Sequence, residues 1–416
     1  MKVLVAHSEY RVQGGEEQAM RNDVAALRAR GHDVEVVLVS SDELPSAPVG
    51  PLMAAARTVW SRTGFRRVRD AIAAMGPDVI HVHNTFPNLG HAAWVAARER
   101  GVPVVQTLHN FRWFCCAGVL ARAGGPCTEC LDARSAAPAL RHRCYRTSVL
   151  ATATVAAYGA RARRKAIGEG LVQRLLVPSE FMRSVMVEQG VPPGRLFVRP
   201  NVSPPLQAGE LPVHDLRPGF VLFVGRLSAE KGVDVLFDAW TGHAEAPDGA
   251  GLPQLVVAGS GDPDIESRLR SRAEAHPEAI RMVGRVEREA LAALLDATDL
   301  VVVPSTCHEN QPMVVIEAFS RGTPVVVSDV GGLPELVRGL GPGLGFAPGD
   351  PADLRRVVTE FLARPATARR QLGREARRIW TTRFAPESNI EQLISHYEAV
   401  GALSDRAGAA SSGGAS

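Results

Sequence analysis

Two glutamates eight residues apart, Glu309 and Glu317, flank what reads as a helix start. An apolar run ends at Val303. A polar loop then carries Glu309, Asn310, Gln311 and Pro312, and helical spacing begins at Met313. The first N–H groups of a helix lack partners within it and attract anions. A loop carboxylate and a helix carboxylate can therefore face one polyhydroxyl ligand lying across that start. The plainer alternative is a helix cap and a surface glutamate.

A second string, V-G-R-L-S-A-E-K-G from Val224 to Gly232, again follows an apolar run. Arg226 and Lys231 can converge on a diphosphate, the first as a fork and the second as a point charge. Otherwise they are two exposed cations on a loop. Lys231 is one of three lysines, with Lys2 and Lys165, beside 44 arginines. Gly259-Ser260-Gly261-Asp262 begins like a dinucleotide loop, but Pro263 follows and the third glycine is missing. Gly14 and Gly15 precede a helix, where glycine lets backbone approach a ligand, or simply makes a turn. His81, His83, Asn84 and His109 stand at strand ends, where histidines are often structural. Cys115, Cys127, Cys130 and Cys144 form C-x11-C-x2-C-x13-C. Four thiolates at such spacing suit a structural zinc. Cys116 can substitute for Cys115, and unpaired thiols or a redox pair are the alternatives.

These residues need a frame. Short Val-rich runs alternate with helical patterns: Lys2–Ala6, Val34–Val39, Val79–His83, Val102–Leu108, Leu175–Val177 and Leu196–Val198. Five prolines between Pro200 and Pro218 then break the pattern. The alternation resumes at Phe220–Val224, Gln254–Ala258, Ile280–Val283, Leu300–Val303 and Val325–Val327. Buried runs separated by helices read as parallel strands of βα units. The expectation is α/β: two doubly wound domains facing across a cleft, with ligands beyond the carboxyl ends of the strands.

Composition agrees. The chain has 416 residues, 45% apolar and 22% charged, enough for two cores and against global disorder. No apolar stretch approaches the ~20 residues of a membrane span. The N-terminus reads as a strand, not a signal peptide, and six cysteines suit a reducing compartment, so a cytoplasmic location is expected. Net charge is +3, yet residues 1–205 hold 26 Arg and Lys against 16 Asp and Glu. Arg141, Arg143, Arg146, Arg161, Arg163, Arg164 and Lys165 flank the apolar segment 149–158. Contact with a membrane surface or a lipid pyrophosphate is one reading; a solvated helix is the other. No nucleic-acid partner is expected.

The string from Glu309 to Glu335 resembles the retaining glycosyltransferases of family 4. Their E-x7-E element and the following EA-x3-G-x-P-V-V-x-S-x2-G-G-x-x-E stand here as Glu309, Glu317-Ala318, Gly322, Pro324-Val325-Val326, Ser328, Gly331-Gly332 and Glu335. Arg226, Lys231 and Gly232 are similar to that family's G-R-L-x-x-x-K-G. The resemblance covers roughly Val3 to Val400 and implies a GT-B fold. It implies an N-terminal acceptor-side domain over 1–205 and a nucleotide-sugar domain over 206–385. A helix over 386–402 would cross back to the first domain, with a disordered tail over 403–416. It implies transfer of a sugar, hexosyl or related, from a nucleotide-diphosphate sugar to an acceptor hydroxyl with retention.

By the resemblance, Arg226 and Lys231 bind the diphosphate and Glu317 the ribose. Glu309 holds the transferred sugar at the reacting carbon. The amides of Asn310, Gln311, Pro312 and Met313 line the sugar and phosphate, and the loops at Gly15 and Gly259 border the donor. Gly284-Arg285 is similar to the family's turn near the base. His109, in T-L-H-N-F-R, matches the family's histidine near the donor sugar. The catalytic set is thus Glu309, His109, Lys231 and Arg226, with no metal needed for catalysis. The Cys-containing insertion is similar to that of members in bacterial polysaccharide assembly. This implies a cell-surface polysaccharide or glycoconjugate product, a lipid-linked acceptor and action at the inner membrane face. A soluble natural-product acceptor, a sugar-nucleotide epimerase, or a binding module are the alternatives. The module is disfavoured because Glu309, Arg226 and Lys231 are all present.

Overall fold

The structure, a computed structural model, describes residues 1–9, 14–40, 56–207, 209–213, 215–242 and 252–412. By its contacts the chain divides into two units. Unit 1 comprises Met1–Leu120, Thr128–Asn201 and Pro386–Ser416; unit 2 comprises Ala121–Cys127 and Val202–Ala385. The division falls at Asn201/Val202 rather than after residue 205.

In unit 1 the valine-rich runs form six strands: β1 (Lys2–Ser8), β2 (Asp33–Val39), β3 (Val79–Val82), β4 (Val104–Thr107), β5 (Arg174–Val177) and β6 (Leu196–Val198). They pair in parallel in the order β2-β1-β3-β4-β5-β6. Leu4 of β1 lies opposite Glu35 on one side and Ile80 on the other. β3 and β4 are buried along their whole length, as a strand covered on both faces must be. One face packs on helix α1 (Gly15–Ala29) and on Ile390, Leu393, Tyr397 and Val400. The other carries a cluster that includes Trp94, Phe111, Trp113 and Tyr158. Tyr158 belongs to helix α2 (Val149–Arg163), started by Ser148, whose side chain accepts from the Ala151 N–H.

Unit 2 repeats the plan with β7 (Val221–Val224), β8 (Leu255–Ala258), β9 (Ile280–Gly284), β10 (Leu300–Val303), β11 (Val325–Ser328) and β12 (Gly345–Phe346). Their order is β9-β8-β7-β10-β11-β12. The short edge strand β12 was not anticipated, because two residues carry no periodicity. Helices α3 (Val233–Thr241) and α4 (Met313–Arg321) follow β7 and β10, and Phe237 and Phe319 bury fully in the core. Ala229–Lys231 forms a 3-10 turn ahead of α3, which begins at Val233.

The final helix, α5 (Pro386–Ser412), runs through residues expected to be a disordered tail. Alanines at 402, 407, 409 and 410 are strong helix formers, and extending an existing helix avoids the cost of nucleation. Residues 413–416 of that expected tail lie outside the described residues. No helix among the described residues is long and apolar enough to cross a membrane.

Candidate active site

Both sheets reverse their strand order once, and the loops flanking that reversal are where an open α/β sheet holds ligands. In unit 2 the reversal lies between β7 and β10, so the Arg226–Lys231 loop and the Ser305–Pro312 loop are neighbours. Backbone bonds lace them. Thr306 N–H donates to the Glu230 carbonyl at 3.0 Å, and Leu227 N–H to the Ser260 carbonyl at 3.0 Å. Gly232 adopts φ +70°, and a Cβ there would lie 1.8 Å from the Pro304 carbonyl oxygen. Only glycine permits this turn to press against the end of β10. A Cβ at Gly259 would meet the Gly225 carbonyl oxygen at 1.9 Å, so that glycine allows the loops after β7 and β8 to stack.

The turn delivers Lys231 to Glu309, and the two form an ion pair. Ser305 Oγ donates to the same Glu309 oxygen at 2.9 Å. Burial works against the Lys231 charge, but the facing Glu309 carboxylate outweighs it and holds the ammonium pKa above its ordinary value. Arg226 is exposed and pairs with Glu230 at 2.5 Å. Pro312 caps α4 and no side chain bonds the helix start. Glu317, one turn into α4, is buried; burial pushes its carboxyl pKa up, opposed by Arg288 at 3.6 Å. Cys307 between these loops is buried, and its thiol is pushed up to about 12, chiefly by burial. Burial thus disfavours the thiolate there.

Arg288 and Ser305 escaped the sequence reading. Arg288 opens a helix in another βα unit and carries no motif. Ser305 stands just ahead of the Glu309 loop, and its spacing of four was the available signal.

In unit 1 the reversal lies between β1 and β3, and histidines gather at these strand ends. Asp23 of α1 takes two bonds from the Arg199 guanidinium, both 2.7 Å. His83 Nε2 lies 3.9 Å from Asp23, and His83 Nδ1 lies 3.1 Å from His109 Nε2. His81 bridges Thr107 Oγ1 at 2.8 Å and the Tyr397 hydroxyl at 2.7 Å. Burial, then neighbouring positive and imidazole groups, lowers the pKa of each: His109 to about 3, His7 to about 4, and His81 and His83 well below the ordinary value. They are neutral imidazoles at pH 7. Asp23, His81 and His83 bring ligand atoms within 4.8 Å of one another. A cation does not fit them, because Arg199 occupies both Asp23 oxygens and both His81 nitrogens are bonded. The cluster is a buried hydrogen-bond network that braces His109.

Beside His109 lies a small cavity of about 20 Å³, lined among others by Glu16, His83, Asn110, Arg112 and Tyr158. Asn110 Nδ2 donates to Glu16 at 2.6 Å, and burial raises the Glu16 pKa. Glu16 follows Gly15, which opens α1. Gly14 before it is extended, with open space where a Cβ would stand, so a tight turn does not explain that glycine.

None of the six cysteines is joined in a disulfide. Cys116 is buried and bonds the Thr152 carbonyl at 3.7 Å. Its thiol pKa rises to about 12, mainly by burial and further by Cys115, Cys130 and Cys144. Cys116 belongs to the core, and Cys115, Cys130 and Cys144 pack partly buried against it, but among the described residues no three cysteine sulfurs come within 4.8 Å of one another. Cys127 falls in the short segment grouped with unit 2. The structure thus gathers Arg226, Lys231, Glu309 and Glu317 around the α4 start within unit 2, and places Gly15, His109 and the other three cysteines in unit 1.

Two family models match the chain almost end to end: the one described as Glycosyltransferase Family 4 over residues 13–202, and the one described as Glycosyl transferases group 1 over 212–379. The chain belongs to the GT-B glycosyltransferases, of the family 4 type. It is similar to a phosphatidyl-myo-inositol mannosyltransferase of Mycobacterium leprae, 25% identical over 95% of this chain and 96% of that one. A glycogen synthase of Mycobacterium tuberculosis is 36% identical over 40% of this chain and 39% of its own length. Among solved structures, Anabaena Alr3699/HepE in complex with UDP and glucose superposes with a TM-score of 0.65 at 18% identity, over 96% of this chain and all of that one.

Proposed function

We propose that this glycosyltransferase moves a sugar, hexosyl or related, from a nucleotide-diphosphate sugar to an acceptor hydroxyl with retention and without a catalytic metal. The observation that carries it is the Lys231–Glu309 pair beside the uncapped start of α4, with Glu317 one turn along that helix. The bond from the anomeric carbon to the diphosphate breaks and a bond to the acceptor oxygen forms on the same face. Lys231, Arg226 and the amides of Asn310, Gln311 and Met313 stabilise the charge that develops on the leaving diphosphate, supplying the positive potential a divalent cation would otherwise bring. The leaving phosphate takes the acceptor proton. Glu309, held by Lys231 and Ser305, fixes the sugar, and Glu317 takes the ribose hydroxyls. His109 is braced as a neutral donor and acceptor for the sugar, with the Gly15 and Gly259 loops bordering the donor.

The acceptor is proposed to be lipid-linked and the product a cell-surface polysaccharide or glycoconjugate, made at the cytoplasmic face of a membrane. The M. leprae relative's name, with its phosphatidyl-myo-inositol, supports that class of acceptor. The cysteine set is proposed to hold one structural zinc.

Three variants test the donor site. Lys231→Ala should cut turnover about a hundred- to thousandfold, the usual cost of losing one such electrostatic group. Glu317→Ala should weaken nucleotide affinity, because the ribose contact exists in ground and transition states alike. Glu309→Gln should lower turnover with nucleotide still bound. Near-normal turnover in both Lys231→Ala and Glu309→Gln, with every donor the parent accepts, overturns the assignment.

A further inference from the structure

Between Ala133 and Gly168 the chain carries seven arginines and one lysine and no Asp or Glu. The structure separates these cations into two groups. Arg163 lies over the Phe114 ring at 4.7 Å, and Lys165 pairs with Glu169 at 2.7 Å, with Arg164 at 3.5 Å from the same side chain. Arg134, Arg141, Arg143, Arg146 and Arg161 are exposed, and none is in an ion pair among the described residues; Arg146 also lies 5.5 Å from the Tyr145 ring centroid.

In their midst stands the first turn of α2. Val149 and Leu150 are 51% and 47% exposed, the exposed large hydrophobics of the described residues apart from Met1. Helical spacing puts Ala157 and Ala160, also exposed, on the same side, and that side meets no charge until Arg161. Unit 1 therefore presents an apolar helix face flanked along the chain by exposed arginines that make no ion pair among the described residues.

We propose that this face docks on an anionic lipid bilayer, with Val149 and Leu150 entering the headgroup boundary and the five arginines lying over lipid phosphates. Charge alone fits any polyanion. The two protruding aliphatic side chains decide for a bilayer, since a soluble polyanion leaves them in water. The inference stands on a surface separate from the donor site, so either can fail without the other.

The test is co-sedimentation of the full chain with vesicles of phosphatidylcholine alone or mixed with phosphatidylglycerol. Binding to the anionic vesicles should be at least tenfold tighter and should weaken as salt is raised. Val149→Ser with Leu150→Glu places a carboxylate at a helix N-terminus, where it suits the helix dipole and leaves the fold intact. This pair should lose at least tenfold in vesicle binding. Arg141→Gln with Arg146→Asn should lose about twentyfold, roughly fivefold per guanidinium. Circular dichroism and the nucleotide thermal shift should be unchanged in both. Equal binding to both vesicle types, or full binding by the apolar pair, overturns the proposal. So does loss only with the arginine pair that is matched on soluble dextran sulfate, which assigns the face to a soluble polyanion.

Discussion

Replacing Arg199 by Met isolates the contribution of the buried network in unit 1. Arg199 and Asp23 are 2% and 5% exposed, and the guanidinium makes both of its close contacts to that carboxylate. Arg199→Met leaves the Asp23 charge in the core, facing a neutral His83 at 3.9 Å. Breaking a buried pair by removing one partner typically costs about 3–5 kcal/mol. For a unit of this size each kcal/mol lowers the melting temperature by roughly 2–4 °C, so a fall of about 6–20 °C is expected. Asp23→Leu combined with Arg199→Met removes the stranded charge and should restore at least ~2 kcal/mol, because an apolar pair of similar volume is often as stable as the ion pair. Urea unfolding followed by far-UV circular dichroism measures all three forms. The reasoning fails if the single variant costs under ~1 kcal/mol, or if the double variant is no more stable than the single.

The neutral histidines make unit 1 sensitive to acid. The folded pKa of His7, about 4, lies below the ordinary 6.5, so the unfolded chain binds the extra proton. That contribution is fully present above pH 6.5 and is lost as pH falls toward 4; by pH 5.5 the loss amounts to about 1.4 kcal/mol. His7→Leu should flatten the decline between pH 7 and 5, and an unchanged slope in urea midpoints would refute this. Elemental analysis of protein purified without a metal-affinity tag should give one zinc per chain, released together with thiol reactivity. A value near zero with freely titrating thiols removes the metal.

Valine made the strands legible. Eleven of the twelve strands in the two six-stranded sheets were expected within one or two residues, since a short β-branched run bounded by polar residues has few other fates. The Glu309–Lys231 site was legible for a related reason: its residues follow strands directly, and the strand order then makes neighbours of loops 78 residues apart. The His81–Tyr397 bond spans 316 residues and had no local signal. Glu16 looked like an ordinary acid at a helix start, and only the fold sets it against Asn110.

Because Ile390, Leu393, Tyr397 and Val400 fill the core of unit 1, the polypeptide leaves that unit at Asn201 and re-enters it at Pro386. Most of unit 2 is in effect an insert spliced into unit 1, which is completed only once residues 386–400 have been synthesised. The amino-terminal 201 residues alone lack the Tyr397 hydroxyl that His81 requires. A nascent chain halted before Pro386 would carry a first unit with an unclosed core, exposed to chaperones and proteases throughout the synthesis of the second. Dissection at the 201/202 boundary would reproduce that defect. A permuted chain that joins the α5 segment to the end of β6 would remove it.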